Sequence, residues 1–160
     1  MAAMNLDPDL IKTIAPGLRD RDSLPPRDAF LALVALTGDA DVPELLTLQL
    51  GKGWQILAAS EAGLAVLQVD SGPHGFWSLS ERKPNGAGID ARLYPWRAVE
   101  RIEVREVEIY AGMVETNLDI SGRFSYTVVL ADGTTLELPR DPDNRQGAVV
   151  GFIDALRKRL

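Results

Sequence analysis

Apolar and polar positions alternate most regularly toward the C-terminus. Phe124, Tyr126, Val128 and Leu130 alternate with Ser125, Thr127 and Val129, and Leu136 and Leu138 alternate after Asp132-Gly133, a two-residue hairpin signal. The period then lengthens to that of a helix. Val149, Ile153, Leu156 and Leu160 fall about one turn apart, Asp141 or Asp143 can cap that helix, and Pro142 suits its first turn. The pattern predicts strand, turn, strand and a terminal helix whose single apolar stripe must lie on something, with the preceding sheet as the nearest surface.

Earlier segments follow the same two periods. A short helix is expected from Asp7 to Ala15, with Leu6, Leu10, Ile11 and Ile14 on one face, within a stretch punctuated by Pro8, Pro16, Gly17, Pro25 and Pro26. A second helix, Pro26 to Thr37, is apolar around most of its circumference and is stopped by Gly38, so it should be largely buried. A third short helix is expected from Pro43 to Leu48. Strand character begins at Trp54: Trp54 to Ala59 and Leu64 to Val69 flank Ser60-Glu61-Ala62-Gly63, which has the length of a four-residue hairpin loop. Further strands are expected at Phe76 to Ser80 and Ile89 to Tyr94, where Pro95-Trp96 interrupts the ladder.

From Val99 to Tyr110 the alternation changes phase. Ile102 and Val104 occupy one phase and Val107 and Ile109 the other, with the flip at Arg105-Glu106, which a bulge or a bend at a barrel corner explains equally well. Residues 111 to 123 read as a connector holding a short strand near Asn117 to Ile120. The sum is an α+β fold of about seven antiparallel strands in a bent sheet or partly closed barrel, with N-terminal helices and a C-terminal capping helix. The boundaries expected are a helical arm, 1 to 42, packed on a β-rich domain, 43 to 160.

Composition narrows the chemistry. A chain of 160 residues with 46% hydrophobic and 25% charged residues is that of an ordinary globular protein long enough to bury a core unaided. It contains no cysteine, which removes disulfides, thiolate metal sites and cysteine nucleophiles and fits a reducing cytoplasm. A net charge of −6 disfavours broad contact with nucleic-acid phosphates or anionic lipids. The longest apolar run, Ala29 to Leu36, is far short of the roughly 20 residues of a membrane span, and the first residues lack the basic and apolar segments of a secretory signal. Arginine and alanine are frequent, as in proteins from GC-rich bacterial genomes.

Residues 43 to 160 resemble a bacterial pleckstrin-homology-like domain. The resemblance is carried by Leu50-Gly51-Lys52-Gly53-Trp54-Gln55-Ile56-Leu57 leading into the first hairpin, by Leu93-Tyr94-Pro95-Trp96-Arg97-Ala98-Val99-Glu100-Arg101-Ile102, and by Leu130-Ala131-Asp132-Gly133 through the final helix. It implies a binding or scaffolding module without catalysis of its own. Eukaryotic relatives of the fold bind phosphoinositides through a basic loop between the first two strands. Here that loop is Ser60-Glu61-Ala62-Gly63, without a basic residue, so headgroup binding does not carry over.

No catalytic, cofactor or metal constellation stands out. His74, the only histidine, sits in a glycine- and proline-rich turn without a ligand spacing around it. Arg82 and Lys83, beside Asn85 and Gly86, form a cationic loop that could hold a phosphate, although a plain hairpin tip accounts for them. Glu100, Glu103, Glu106 and Glu108 intersperse with Arg97, Arg101 and Arg105, as on the solvated face of a strand. Trp54, Trp77 and Trp96 could line a cavity at a barrel mouth or pack in the core. Arg157-Lys158-Arg159 complements a helix C-terminus. The expectation is a non-catalytic cytoplasmic module acting through protein contacts at a sheet edge or at the end of the barrel, with a partner or a second copy. Two alternatives are a small-molecule-binding barrel around the tryptophans and a flavin-dependent split-barrel enzyme.

Overall fold

The computed structural model describes residues 8–20, 23–38, 43–71, 88–114, 117–138 and 146–160. These form two compact units, Met1–Trp96 with Arg159, and Arg97–Lys158 with Leu160. The strand expected at Phe76 to Ser80 and the caps Asp141 and Asp143 lie outside the described residues.

In the first unit, helices α1 (Pro8–Leu18) and α2 (Arg27–Thr37) precede a four-stranded antiparallel meander, β1 (Glu44–Leu50), β2 (Gly53–Ser60), β3 (Gly63–Asp70) and β4 (Gly88–Tyr94), in sheet order β1-β2-β3-β4. Gly38 ends α2 as expected: its φ is +84° and its N–H bonds the Val34 carbonyl at 2.8 Å. Strand alternation sends Trp54, Ile56 and Ala58 of β2 and Ala65, Leu67 and Val69 of β3 to one face, where they form a core with Ile14 and Leu18 of α1, Leu24, and Phe30, Leu33 and Val34 of α2. Both faces of β2 are buried, which explains its nearly unbroken apolar sequence.

The segment expected as a helix from Pro43 to Leu48 is strand β1. It runs antiparallel to β2 with Leu46 opposite Leu57 and Leu48 opposite Gln55, and both leucines are buried. Helix propensity among such residues differs by at most about 0.7 kcal/mol each. Burying one leucine is worth about 1.5–3 kcal/mol, so sheet pairing outweighs local preference. The β2–β3 loop is also tighter than expected, because Ser60 and Gly63 are themselves ladder partners and only Glu61-Ala62 turns.

In the second unit a single 3-10 turn, Trp96–Ala98, straddles the boundary and leads into β5 (Val99–Val114), β6 (Asn117–Leu130) and β7 (Thr135–Leu138), a three-stranded antiparallel sheet in that order. The C-terminal helix α3 (Gln146–Arg157) follows and buries Val149, Phe152, Ile153 and Leu156. Seven antiparallel strands and three helices make an α+β fold as expected, although β1 is a strand that was not expected and the one at Phe76 to Ser80 lies outside the described residues; the strands form two sheets of four and three and not a closed barrel. What looked like a connector from 111 to 123 is largely strand: β5 runs on to Val114 and β6 begins at Asn117. The Asp132-Gly133 turn has three loop residues, Ala131 to Gly133. Leu130 N–H bonds the Thr134 carbonyl at 2.9 Å, and Gly133 takes the left-handed conformation at φ +87°.

The phase change in β5 resolves into two bulges. Register shifts occur between Val99 and Arg101, opposite Leu130 and Val129, and between Arg105 and Glu108, opposite Ser125 and Arg123. Each inserts one extra residue in β5, so Val99, Ile102 and Val104 fall opposite Leu130, Val128 and Tyr126 of the same β6 phase. Glu106 at the second bulge has φ +50°, the only described non-glycine residue with a positive φ.

Candidate functional site

One end of the first sheet carries a cavity of about 500 Å³, lined by Leu50, Gly53, Trp54 and Gln55 of the β1–β2 end, Gln68, Val69 and Asp70 of β3, and Gly88, Ile89 and Asp90 of β4. Pairing register explains the composition. Gln55 lies opposite Gln68, and Gln68 opposite Asp90, so three polar side chains form one row across three strands. In the next row out, Asp70 pairs with Gly88, where absence of a side chain leaves space. Gly53 is held to glycine by packing: a Cβ there would stand 2.8 Å from the Val69 carbonyl oxygen.

Gln55 is only 6% exposed. Asp90 forms a two-pronged ion pair with Arg92 at 3.3 Å. Hydrogen bonding to Tyr94 and then to Asp90 holds the Arg92 guanidinium above its ordinary pKa. Sequence reasoning passed over Gln55, Gln68, Asp70 and Asp90. The available signal was symmetry, since Gln55 and Gln68 stand equally far from the Glu61-Ala62 turn and must therefore meet across the hairpin.

At the opposite end of β2 the indole N–H of Trp96 donates to the Ser60 carbonyl at 2.9 Å. Arg159, a member of the same unit, bonds that carbonyl at 3.1 Å and sets its guanidinium 5.3 Å from the Trp96 ring centroid. Trp54 and Ser60 are six residues apart on one strand, about 20 Å. Trp54 lines the cavity while Trp96 closes the far end of the hairpin, so these two tryptophans do not share a site. Trp77, Arg82, Lys83 and His74 lie outside the described residues.

The second unit offers a different surface. β7 pairs with β6 only over Tyr126 to Val129, whereas β5 and β6 remain paired out to Val114 and Asn117. Beyond Ser125 the hairpin is therefore a two-stranded ribbon. Among the described residues β5 pairs with β6 alone along its whole length. Val104 and Val107 are 53% and 57% exposed, and the Phe124 and Tyr126 rings lie along β6 tilted by 58° to each other with centroids 6.4 Å apart. Arg101 bonds Glu100 and Glu103 at 2.8 Å each, and Arg105 also pairs with Glu103, so the charges of β5 satisfy one another at the surface. These ionic contacts draw the Glu103 carboxyl below the ordinary carboxylate range, the Arg101 bond being the larger cause.

Among the described residues no group of three or more His, Cys, Asp or Glu side chains could hold a metal ion, and no helix is long and apolar enough to cross a membrane. No family model, curated protein or solved structure matches the chain.

Proposed function

We propose that the chain is a non-catalytic cytoplasmic binding module of the pleckstrin-homology-like type that works through protein–protein contacts, taking an extended segment of another protein along the free edge of β5. The observation that carries this reading is the β5–β6 ribbon, which no further strand joins among the described residues. An isolated two-stranded ribbon is marginal in water and a long unpaired strand edge is a template for another strand. Val104 and Val107 add apolar surface beside that edge.

The β1 edge of the first sheet is treated differently. Thr47 of β1 donates to the Gly17 carbonyl at 3.1 Å and the Gln49 N–H is bonded by Asp20, so the chain itself covers that strand. A strand added to β5 would gain main-chain hydrogen bonds for affinity and the valines for selectivity. The order of a four-stranded meander, a three-stranded meander and a C-terminal helix supports the pleckstrin-homology-like assignment.

A photo-crosslinking residue placed in cells at Val104, at Val107 and, as a control, at the exposed turn residue Glu61 tests the proposal. Protein adducts at the two valines and not at Glu61 are expected. Adducts at Glu61 alone, or at none of the three, would overturn it, and a homodimeric adduct at the valines would identify a second copy as the partner.

A further inference from the structure

We infer, on the footing of the β5 docking edge proposed above, that the segment it takes has an alternating sequence: acidic, apolar, basic, apolar, acidic, laid opposite residues 101–105. The bulges set that length. Register shifts between Val99 and Arg101 and again between Arg105 and Glu108, so residues 101–105 are a regular run of strand between two irregularities. Alternation gives the run two different faces.

One face is charged. Arg101, Glu103 and Arg105 stand opposite Val129, Thr127 and Ser125 of β6, none of which carries a charge. Arg101 and Arg105 are exposed, Glu103 is half-buried, and their ion pairs run along β5 and not across to its neighbour. Exposed pairs of that kind are weak and are rearranged at little cost. A directly opposed residue on an added strand stands about 5 Å away, nearer than the roughly 7 Å between successive charged positions along β5. Each of the three charges therefore gains a closer counter-charge from a segment of complementary sequence.

The other face is apolar and stops short at the edge. Leu136, Val128 and Ile102 form one row across β7, β6 and β5, and Leu138, Tyr126 and Val104 form the next. The β6 and β7 members are buried, whereas Ile102 is half-buried and Val104 exposed. Apolar residues at the second and fourth positions of the segment extend both rows. The five-residue pattern reads the same in either direction, so it holds for parallel and antiparallel addition alike.

A second copy of this chain is the wrong partner. Antiparallel pairing of two such runs sets Glu103 against Glu103 and Arg101 against Arg105, and in-register parallel pairing sets every charge against its like, which is destabilising.

The test uses the full chain and two synthetic peptides with the same uncharged flanks, one with a Glu-Ile-Arg-Val-Glu core and one with the chain's own Arg-Ile-Glu-Val-Arg core, titrated by 1H-15N NMR. Expected is saturable binding of the first with amide shifts centred on residues 101–105, about 3- to 100-fold tighter than the second, since each opposed charge pair is worth roughly 1.4- to 5-fold. Added salt should narrow the gap. In the triple variant Arg101→Glu, Glu103→Arg, Arg105→Glu the preference should reverse, and the wild-type comparison keeps the test decisive should that variant misfold. Equal affinity for the two peptides, no shifts at residues 101–105 with either, or an unreversed preference in the folded triple variant would overturn the inference. Protein adducts at Val104 and Val107 in the crosslinking experiment would then still uphold the docking edge, so the two failures are told apart.

Discussion

The carboxylate of Asp20 accepts the backbone N–H of Gln49 at 2.7 Å, joining the segment after α1 to the outer edge of β1 across 29 residues of chain. Asp20 is 2% exposed, and its own backbone is fixed by paired bonds with Ser23 at 2.9 and 3.1 Å. A charged acceptor at an otherwise open strand amide is among the stronger hydrogen bonds a protein makes. Asp20→Ala should therefore cost about 1.5–3 kcal/mol, read as a lower urea midpoint with an unchanged m-value. An unaltered midpoint would show that the bond contributes nothing net.

Gly63 and Gly133 separate two reasons for a glycine. Gly63 has φ +146°, and a Cβ there would stand 2.2 Å from the Tyr94 carbonyl oxygen. At Gly133 φ is +87° but nothing lies within 4 Å. Gly63→Ala combines backbone strain with a collision against main chain and should cost roughly 2–4 kcal/mol. Gly133→Ala carries strain alone and should cost about 1 kcal/mol. Thermal denaturation of both variants checks the order, and equal losses would remove the collision from the account.

At the second β5 bulge a glutamate occupies a conformation that glycine prefers. Glu106 at φ +50° is offset only by an exposed contact, Ser125 Oγ to its carboxylate at 3.4 Å. Glu106→Gly should therefore stabilise the protein by about 0.5–1 kcal/mol, while Glu106→Val should destabilise it. If chemical denaturation shows Glu106→Gly to be the less stable variant, the side-chain contact outweighs the strain.

The Arg101–Glu103–Arg105 chain gives a pH dependence with a definite sign. Glu103 has its folded pKa depressed by its arginine partners, so its contribution is present above the unfolded value of about 4.3 and is lost as pH falls through the lower folded value. The stability difference between the wild type and Glu103→Gln should be constant from pH 7 to about 5 and shrink below that. Urea midpoints measured between pH 7 and 3 decide it, and a difference independent of pH would remove Glu103 as the source.

The sequence carried the strands of the second unit further than it carried their lengths. Phe124 to Leu130 and Leu136 to Leu138 were legible because alternation survives wherever one face is buried. The phase flip at Arg105-Glu106 was visible too, and the register identifies it as a bulge that returns Ile109, opposite Gly122, to the phase of Ile102 and Val104, opposite Val128 and Tyr126. Strand β1 was misread because Glu44-Leu45-Leu46 has local helix preference and only β2, as a partner, reverses it. The cavity was missed for a related reason: Gln55 and Asp90 are 35 positions apart, and only the three-strand register puts them in one row.

All three tryptophans, at 54, 77 and 96, belong to Met1–Trp96, and the stretch from Arg97 onward has none. Intrinsic indole emission is consequently an optical label for the first unit alone, whereas far-ultraviolet circular dichroism sums over both. Superimposable melting curves from the two signals mean that the units unfold as one cooperative block, and displaced curves mean that each has a transition of its own. The chain thus carries a built-in spectroscopic assay of its own cooperativity, with no dye or added label.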